Sequence, residues 1–260
     1  MFYLSNVYDL LESFSKEKPD FIFIENDIEK YTIKEFFNTV IATANHLCNM
    51  GVDKNDMVAI LAKKDIETII YFFACQILGA MAFMVDSSLD IDEYKKSIKY
   101  IVYDNRKVYK QNKIVKPQFD YLKDSRKTTI LISTSGSIGK RKIVKLSQFA
   151  FINNSFDSKE FGFYEEKDVA LAFLPLTHVF AIAMLFTAVC FKFKVVVARS
   201  KEIKDLLMYI DKYHVTRFNG IPSIFLKMCE LKDNYNISSL KCAYIGGAPC
   251  STKDYLKIEE

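Results

Sequence analysis

Histidine is scarce in this chain and paired cysteine is missing, which narrows its chemistry. Only His46, His178 and His214 occur among 260 residues. The six cysteines, Cys48, Cys75, Cys190, Cys229, Cys242 and Cys250, include no Cys-x-x-Cys pair. A zinc site, which needs several such donors close together, therefore has no local support, and no metal-ligating residue is assigned. Most of the cysteines lie in apolar runs, as free buried thiols do in a reducing cytoplasm, so a cytoplasmic protein is expected. Excess charge is small as well: 36 Lys and Arg against 32 Asp and Glu leave +4. No basic stripe interleaved with aromatics accompanies it, so nucleic acid is not an expected partner. The N-terminus lacks the basic n-region of a signal peptide and meets Asp9 and Glu12 early.

What is present is the material of a folded core. Hydrophobic residues make up 50% and charged residues 26%, the balance of a globular protein of one large or two smaller domains. One uncharged run, Val169 to Phe191, is long enough to cross a bilayer. Pro175 and His178 interrupt it, and Asp168 and Lys192 bound it. A buried strand, a turn and a buried helix describe it better than a transmembrane span.

From Tyr31 onward the pattern alternates helix and strand. Thr32 and Glu35 form a capping-box signature. Ile33, Phe36, Phe37, Val40, Ile41, Ala44 and Leu47 then recur at helical spacing until Gly51. Asp65 is placed to cap a second helix ending before Gly79, and Ser147 a third over 148–156. Strands are expected at 57–62, 81–85, 99–103, 128–133, 143–146, 169–174, 193–198, 215–218 and 241–245. Further helices are expected near 179–190, 202–213 and 222–231. This order implies an α/β fold with largely parallel sheets covered by helices on both faces. The polar stretch 106–125, with Pro117, reads as a connection. It divides the chain into a first α/β sub-domain at 1–125 and a second at 126–260.

The strand at 128–133 runs into Thr134-Ser135-Gly136-Ser137-Ile138-Gly139-Lys140-Arg141-Lys142. Hydroxyl side chains, glycines that allow close backbone approach and terminal cations suit phosphate oxygens. The loop is not a Walker A motif, because Arg141 follows Gly139-Lys140 and position 134 is not glycine. On turn chemistry alone a plain surface turn is an even alternative.

The order of residues in this loop resembles the signature Thr-Ser-Gly-Ser/Thr-Thr-Gly-x-Pro-Lys-Gly of the adenylate-forming (AMP-binding) superfamily. Ile138, Arg141 and Ile143 depart from it; the glycines and Lys142 remain. Leu174-Pro175-Leu176-Thr177-His178-Val179-Phe180 resembles that family's Pro-Leu-x-His-x-x-Gly segment, with Ala181 at the usual glycine. Val215 to Pro222 resembles its Val-Thr…Gly-Val-Pro strand and turn. Leu240 to Pro249, with Gly246-Gly247-Ala248-Pro249, resembles its strand and glycine turn. The four segments stand in the family's order, and the resemblance runs from about Tyr31 to the last residue.

The resemblance implies an acyl- or aryl-CoA synthetase-like ligase. A carboxylic acid and ATP would give an acyl-adenylate and pyrophosphate, and the acyl group would pass to a thiol of CoA or a carrier protein. Thr134, Ser135, Gly136, Ser137, Gly139 and Lys142 would hold the phosphates. Lys142 and His178 would serve catalysis. Gly246, Gly247, Ala248 and Pro249 would line the adenine and acyl site. From Leu176 to Phe191 there is no acidic residue to pair with an α-amine, which favours a fatty or aryl acid over an amino acid. A peptide-synthetase-type adenylation domain is one alternative. The other is a truncated or degenerate nucleotide-binding module without activity. No Tyr-Gly dipeptide occurs, so the family's Tyr-Gly-x-Thr-Glu motif, which helps hold magnesium, is absent. The chain is expected to be the first part of a larger domain.

Overall fold

The computed structural model describes residues 5–61, 63, 65–86, 94–103, 108, 110–134 and 142–259. Helix α1 (Val7–Glu17) opens the fold, followed by the hairpin strands β1 (Ile22–Glu25) and β2 (Lys30–Thr32). Next come α2 (Ile33–Asn49), β3 (Met57–Leu61), α3 (Ile66–Leu78), β4 (Met81–Val85), β5 (Ile98–Val102), β6 (Thr128–Thr134) and β7 (Lys142–Ser147). Then follow α4 (Gln148–Asp157), a single turn α5 (Lys159–Gly162), β8 (Val169–Ala172), α6 (Val179–Phe191), β9 (Lys194–Val197) and α7 (Ile203–Tyr213). Finally come β10 (Arg217–Gly220), α8 (Pro222–Leu231), β11 (Cys242–Ile245) and α9 (Thr252–Glu259).

The strands form two sheets, in the order β11-β10-β8-β9-β1-β2 and β5-β3-β4-β6-β7. Pairing is parallel except at the β1–β2 and β6–β7 edges. The largely parallel α/β reading therefore holds. The division at residue 125 does not describe the strand pairing. β1 joins the sheet of the C-terminal half through β9, and β6 joins the sheet of the N-terminal half through β4. Sequence order does not reveal which edge a strand will extend; hydrogen bonding across the boundary decides it.

Helices α2 and α3 lie between the sheets, α2 against β1 and β2 and α3 against β3, β4 and β6. A chain of aromatic contacts crosses this layer. Phe36 meets Phe73 at 5.8 Å between centroids, Phe73 meets Phe186 at 6.1 Å, and Phe186 stacks on Phe151 at 5.0 Å. A buried amide relay adds direction to the packing. Gln76 Nε2 donates to the Thr129 carbonyl, Gln148 Nε2 donates to the Gln76 carbonyl, and Val7 N–H donates to Gln148 Oε1. This relay ties α1, which the pattern reading passed over, to α3, β6 and α4. The 106–125 connection is equally bound: Val115 and Gln118 N–H groups donate to Asn38 and Asn45 on α2.

The capping box forms as expected: Glu35 N–H donates to Thr32 Oγ1 at 3.1 Å, and Thr32 N–H donates to Glu35 Oε2 at 2.8 Å. Thr32→Ala is expected to cost about 1 kcal/mol in urea denaturation. A change of no more than a few tenths would mean that the box does not contribute.

The uncharged run 169–191 folds as β8, a turn and the 13-residue α6. At 1.5 Å per residue that helix is roughly 20 Å long, too short for a bilayer core. Among the described residues no helix is long and apolar enough to cross a membrane.

Candidate functional site

The glycine-loop residues Ser135, Gly136, Ser137 and Gly139 lie outside the described residues, but the two anchors of the loop are placed. Thr134 ends β6, and Lys142 opens β7 as its direct antiparallel partner. Lys142 was expected on the loop. It is instead an exposed strand residue, because the hairpin ladder continues from Ser133–Ile143 to Thr134–Lys142. Residues three apart on a strand point to opposite faces, so Lys145 cannot share the direction of Lys142.

β6 runs parallel to β4 and β4 to β3, so the loop leaves the sheet at the carboxyl edge of these strands. Lys63 and Asp65, just beyond β3, share a small cleft with Ala172, Leu174 and Val197 at the ends of β8 and β9. The carboxyl edges of the two sheets therefore meet, as parallel α/β ligand sites require.

On the six-stranded sheet, three chain segments leave that edge side by side. After β8, the Pro-Leu turn brings His178 to the N-cap of α6, where it is exposed and makes no side-chain cap. The alternative of a buried core histidine is thereby excluded. After β10 come Gly220 and Ile221. After β11, Gly246 N–H donates to the Gly220 carbonyl at 3.0 Å. Gly247 has φ +78° with the Ile221 side chain 3.4 Å from a would-be Cβ, so an L side chain there would be strained. A Cβ at Gly246 would come 3.9 Å from the Phe180 ring. Gly247, Ala248 and Pro249 are exposed. His178 and the Gly246-Gly247 turn thus share one edge.

Beneath it lies a buried ion pair. Arg217 Nε donates to Asp168 Oδ2 at 2.6 Å, and Nη2 donates to the Phe163 carbonyl at 2.7 Å. The Arg217 guanidinium also sits 4.6 Å over the Tyr164 ring. Asp168 accepts further bonds from Glu165 N–H and the Thr216 hydroxyl. Burial alone would raise the Asp168 pKa. The Glu165 and Arg217 hydrogen bonds, with Thr216 and the arginine charge, outweigh it and hold the carboxyl below its usual range. Beside the pair is a cavity of about 160 Å³, lined in part by Phe180, Met184, Arg217, Asn219 and Tyr244.

Sequence reasoning did not single out Asp168, Arg217, Asn219 or Tyr244. The signal for Arg217 was a charge inside a strand pattern, Val215-Thr216-Arg217-Phe218, which demands a buried counter-ion. Nothing local pointed to Tyr244. Among the described residues no three of His, Cys, Asp and Glu come together to hold a metal ion. Burial pushes the Cys75 and Cys190 thiols up to about 12 each.

Comparison with known proteins decides the family. The AMP-binding enzyme family model matches residues 11–102 and 94–260. The chain belongs to the AMP-binding enzyme family. The 2-succinylbenzoate–CoA ligase of Bacillus subtilis is 25% identical over 257 residues, covering 89% of this chain and 51% of the ligase. Gramicidin S synthase 2 of Brevibacillus brevis is 23% identical over 280 residues, covering 98% of this chain and 6% of that protein. Among solved structures, O-succinylbenzoate Coenzyme A synthetase from Bacillus subtilis in complex with AMP superposes with a TM-score of 0.80 at 21% identity. That superposition covers 98% of this chain and 56% of the other, and it shows the fold. This AMP-binding chain thus spans about half the length of the curated CoA ligases it matches.

Proposed function

We propose that the chain forms the nucleotide- and acid-binding part of an AMP-forming acid–thiol ligase. ATP, as its magnesium salt, and a fatty or aryl carboxylate would react to an acyl-adenylate and pyrophosphate. The acyl group would then pass to a thiol, with CoA favoured over a carrier protein by the CoA ligases among the relatives. Six free cysteines support a cytoplasmic location.

The observation that carries this reading is the common edge. Thr134 and its partner Lys142, His178 at the start of α6 and the Gly246-Gly247 turn all lie at the carboxyl ends of parallel strands. Attack of a carboxylate on the α-phosphate expels pyrophosphate, so the β- and γ-phosphates need cations and N–H donors. Thr134, Ser135, Gly136, Ser137, Gly139 and Lys142 would supply them. His178 would stand at the acyl carbonyl, and Gly246, Gly247, Ala248 and Pro249 would line the adenylate, the two glycines without side-chain obstruction.

ATP–pyrophosphate exchange by the complete protein tests the reading against panels of fatty, aryl and amino acids. Exchange is expected with simple carboxylates. Exchange driven by amino acids alone would overturn the acid class. ATP binding without exchange under any acid would favour a non-catalytic nucleotide-binding module, for which the loop departures Ile138, Arg141 and Ile143 are the support.

A further inference from the structure

A groove of about 770 Å³ lies between α1, α2 and the 106–125 connection, and it shares no lining residue with Thr134, Lys142, His178 or the glycine turn. Tyr8, Glu12, Ser15 and Lys16 line it from one face of α1, beside the Val7, Leu11 and Phe14 stripe that enters the core. Lys34, Phe37 and Asn38 line it from α2, and the connection from Ile114 to Lys123 forms the third wall. Asparagines on α2 hold that wall in place. The Val115 and Gln118 N–H groups donate to Asn38 and Asn45, and Asn45 Nδ2 donates to the Lys116 carbonyl at 3.0 Å. The wall is therefore set before any ligand arrives, which lowers the cost of binding.

Four aromatic rings meet here. Tyr8 stacks on Tyr121 with ring centroids 3.9 Å and planes 13° apart, and Phe37 meets Tyr8 edge-on at 5.5 Å. Phe119 is the fourth, and Ile114 stands 76% exposed beside them on the connection. A cavity on the order of 150 Å³ accommodates benzene, so this groove has room for several linked rings. Its volume lies within the roughly 300–1,000 Å³ of small-molecule sites.

Charge sets the sign of the ligand. Lys16, Lys34, Lys116 and Lys123 line the groove against Glu12 and Asp120. Glu12 is engaged by Lys16 at 2.9 Å and by the Tyr8 hydroxyl at 3.3 Å. Burial first, then Glu12, pushes that hydroxyl up to about 12, so Tyr8 adds no negative charge. Asp120 alone then stands against three lysines. Lys123 lies 5.9 Å from the Tyr121 ring centroid. The Lys34 and Lys116 ammonium groups have no hydrogen-bond or ion-pair partner among the described residues. The Val115–Asn38 bond brings their segments together, because Lys34 and Asn38 share a face of α2 and Lys116 follows Val115.

We propose that this groove is a second ligand site for a multi-ring aromatic anion, with its rings against Tyr8, Phe37, Phe119 and Tyr121 and its acid group, a carboxylate or sulfonate, at Lys34 and Lys116. The proposal does not rest on the ligase reading, since none of these residues belongs to the sheet-edge site.

The test uses two fluorescent probes with one ring system, anilinonaphthalene sulfonate and the uncharged N-phenylnaphthylamine. Binding of each to the unmodified chain is followed by fluorescence titration. An apolar surface without charge would favour the neutral probe. The sulfonate is expected to bind at least about five-fold tighter, a preference that shrinks as salt is added. Lys34→Gln combined with Lys116→Gln should remove most of that preference, while the neutral probe's affinity stays within about two-fold and the melting temperature is unchanged. Lys201→Gln combined with Lys204→Gln is the control. It removes the same charge at two exposed positions outside the groove and should leave the preference intact. Equal binding of the two probes, or tighter binding of the neutral one, would overturn the proposal. So would a preference that survives the changes at Lys34 and Lys116, or one that falls equally with those at Lys201 and Lys204. Binding of neither probe would overturn it too, and capture of poly-L-glutamate in that case would assign the groove to an acidic polypeptide. No turnover is read, so a failed exchange assay would remove the ligase reading without touching this result.

Discussion

Arg217→Ala is expected to destabilise the fold by about 3–5 kcal/mol in urea denaturation. The Asp168 and Arg217 side chains are only 1% and 6% exposed. Removing the arginine leaves a nearly fully buried carboxylate without its counter-ion. The Thr216 hydroxyl and Glu165 N–H would still donate to it, but they bring no full positive charge. Removing both charges together should be far milder: the double variant Asp168→Asn with Arg217→Met is expected to recover most of the loss. A loss under about 1 kcal/mol for Arg217→Ala would mean that the pair contributes little and that its burial is relieved by motion.

The same pair makes stability depend on acid. The Asp168 pKa is lowered in the folded chain, so its contribution is fully present above the ordinary carboxylate value of about 3.9. It fades as pH falls below that value and through the depressed folded one. Asp168→Asn should therefore be less stable at neutral pH and show a flatter stability curve below about pH 4. Parallel curves for the two proteins in that window would argue against the assignment.

Lys142→Ala in the complete protein is expected to lower ATP–pyrophosphate exchange by at least about 100-fold, the usual scale for removing one preorganised group at developing phosphate charge. Folding should be nearly unaffected, because Lys142 is an exposed residue at the end of an edge strand. Lys145→Ala is the control. It removes the same charge from the same strand but from the opposite face, and exchange should change less than about three-fold. Equal losses in the two variants would reduce the effect to general electrostatic attraction for ATP. No loss in either would remove Lys142 from the phosphate site.

Much of the fold was legible because its signals are local. The helix boundaries at Thr32, Asp65, Gly79 and Ser147 follow from side-chain caps and one left-handed glycine, and each forms as read. β4 matches its apolar run residue for residue. α1 escaped although Val7, Leu11 and Phe14 carry a buried helical stripe, and the β1–β2 hairpin was missed because buried Phe23 and Ile24 are adjacent rather than alternating. Lys142 moved from loop to strand because hairpin pairing, not composition, sets where a glycine-rich loop begins and ends.

The sequence by itself determined the alternation of strands and helices, the capped helix ends and the four segments that place the chain among AMP-binding enzymes. Each is written in neighbouring residues, where propensity, capping and motif order act over a few positions. Only the tertiary structure decided which strands share a sheet across residue 125, that His178 stands exposed at the sheet edge, and that Arg217, paired with Asp168, lines one cavity with Tyr244. Those facts depend on contacts between residues distant along the chain, 49 positions for Asp168 with Arg217, and no local pattern encodes which buried charge meets which partner.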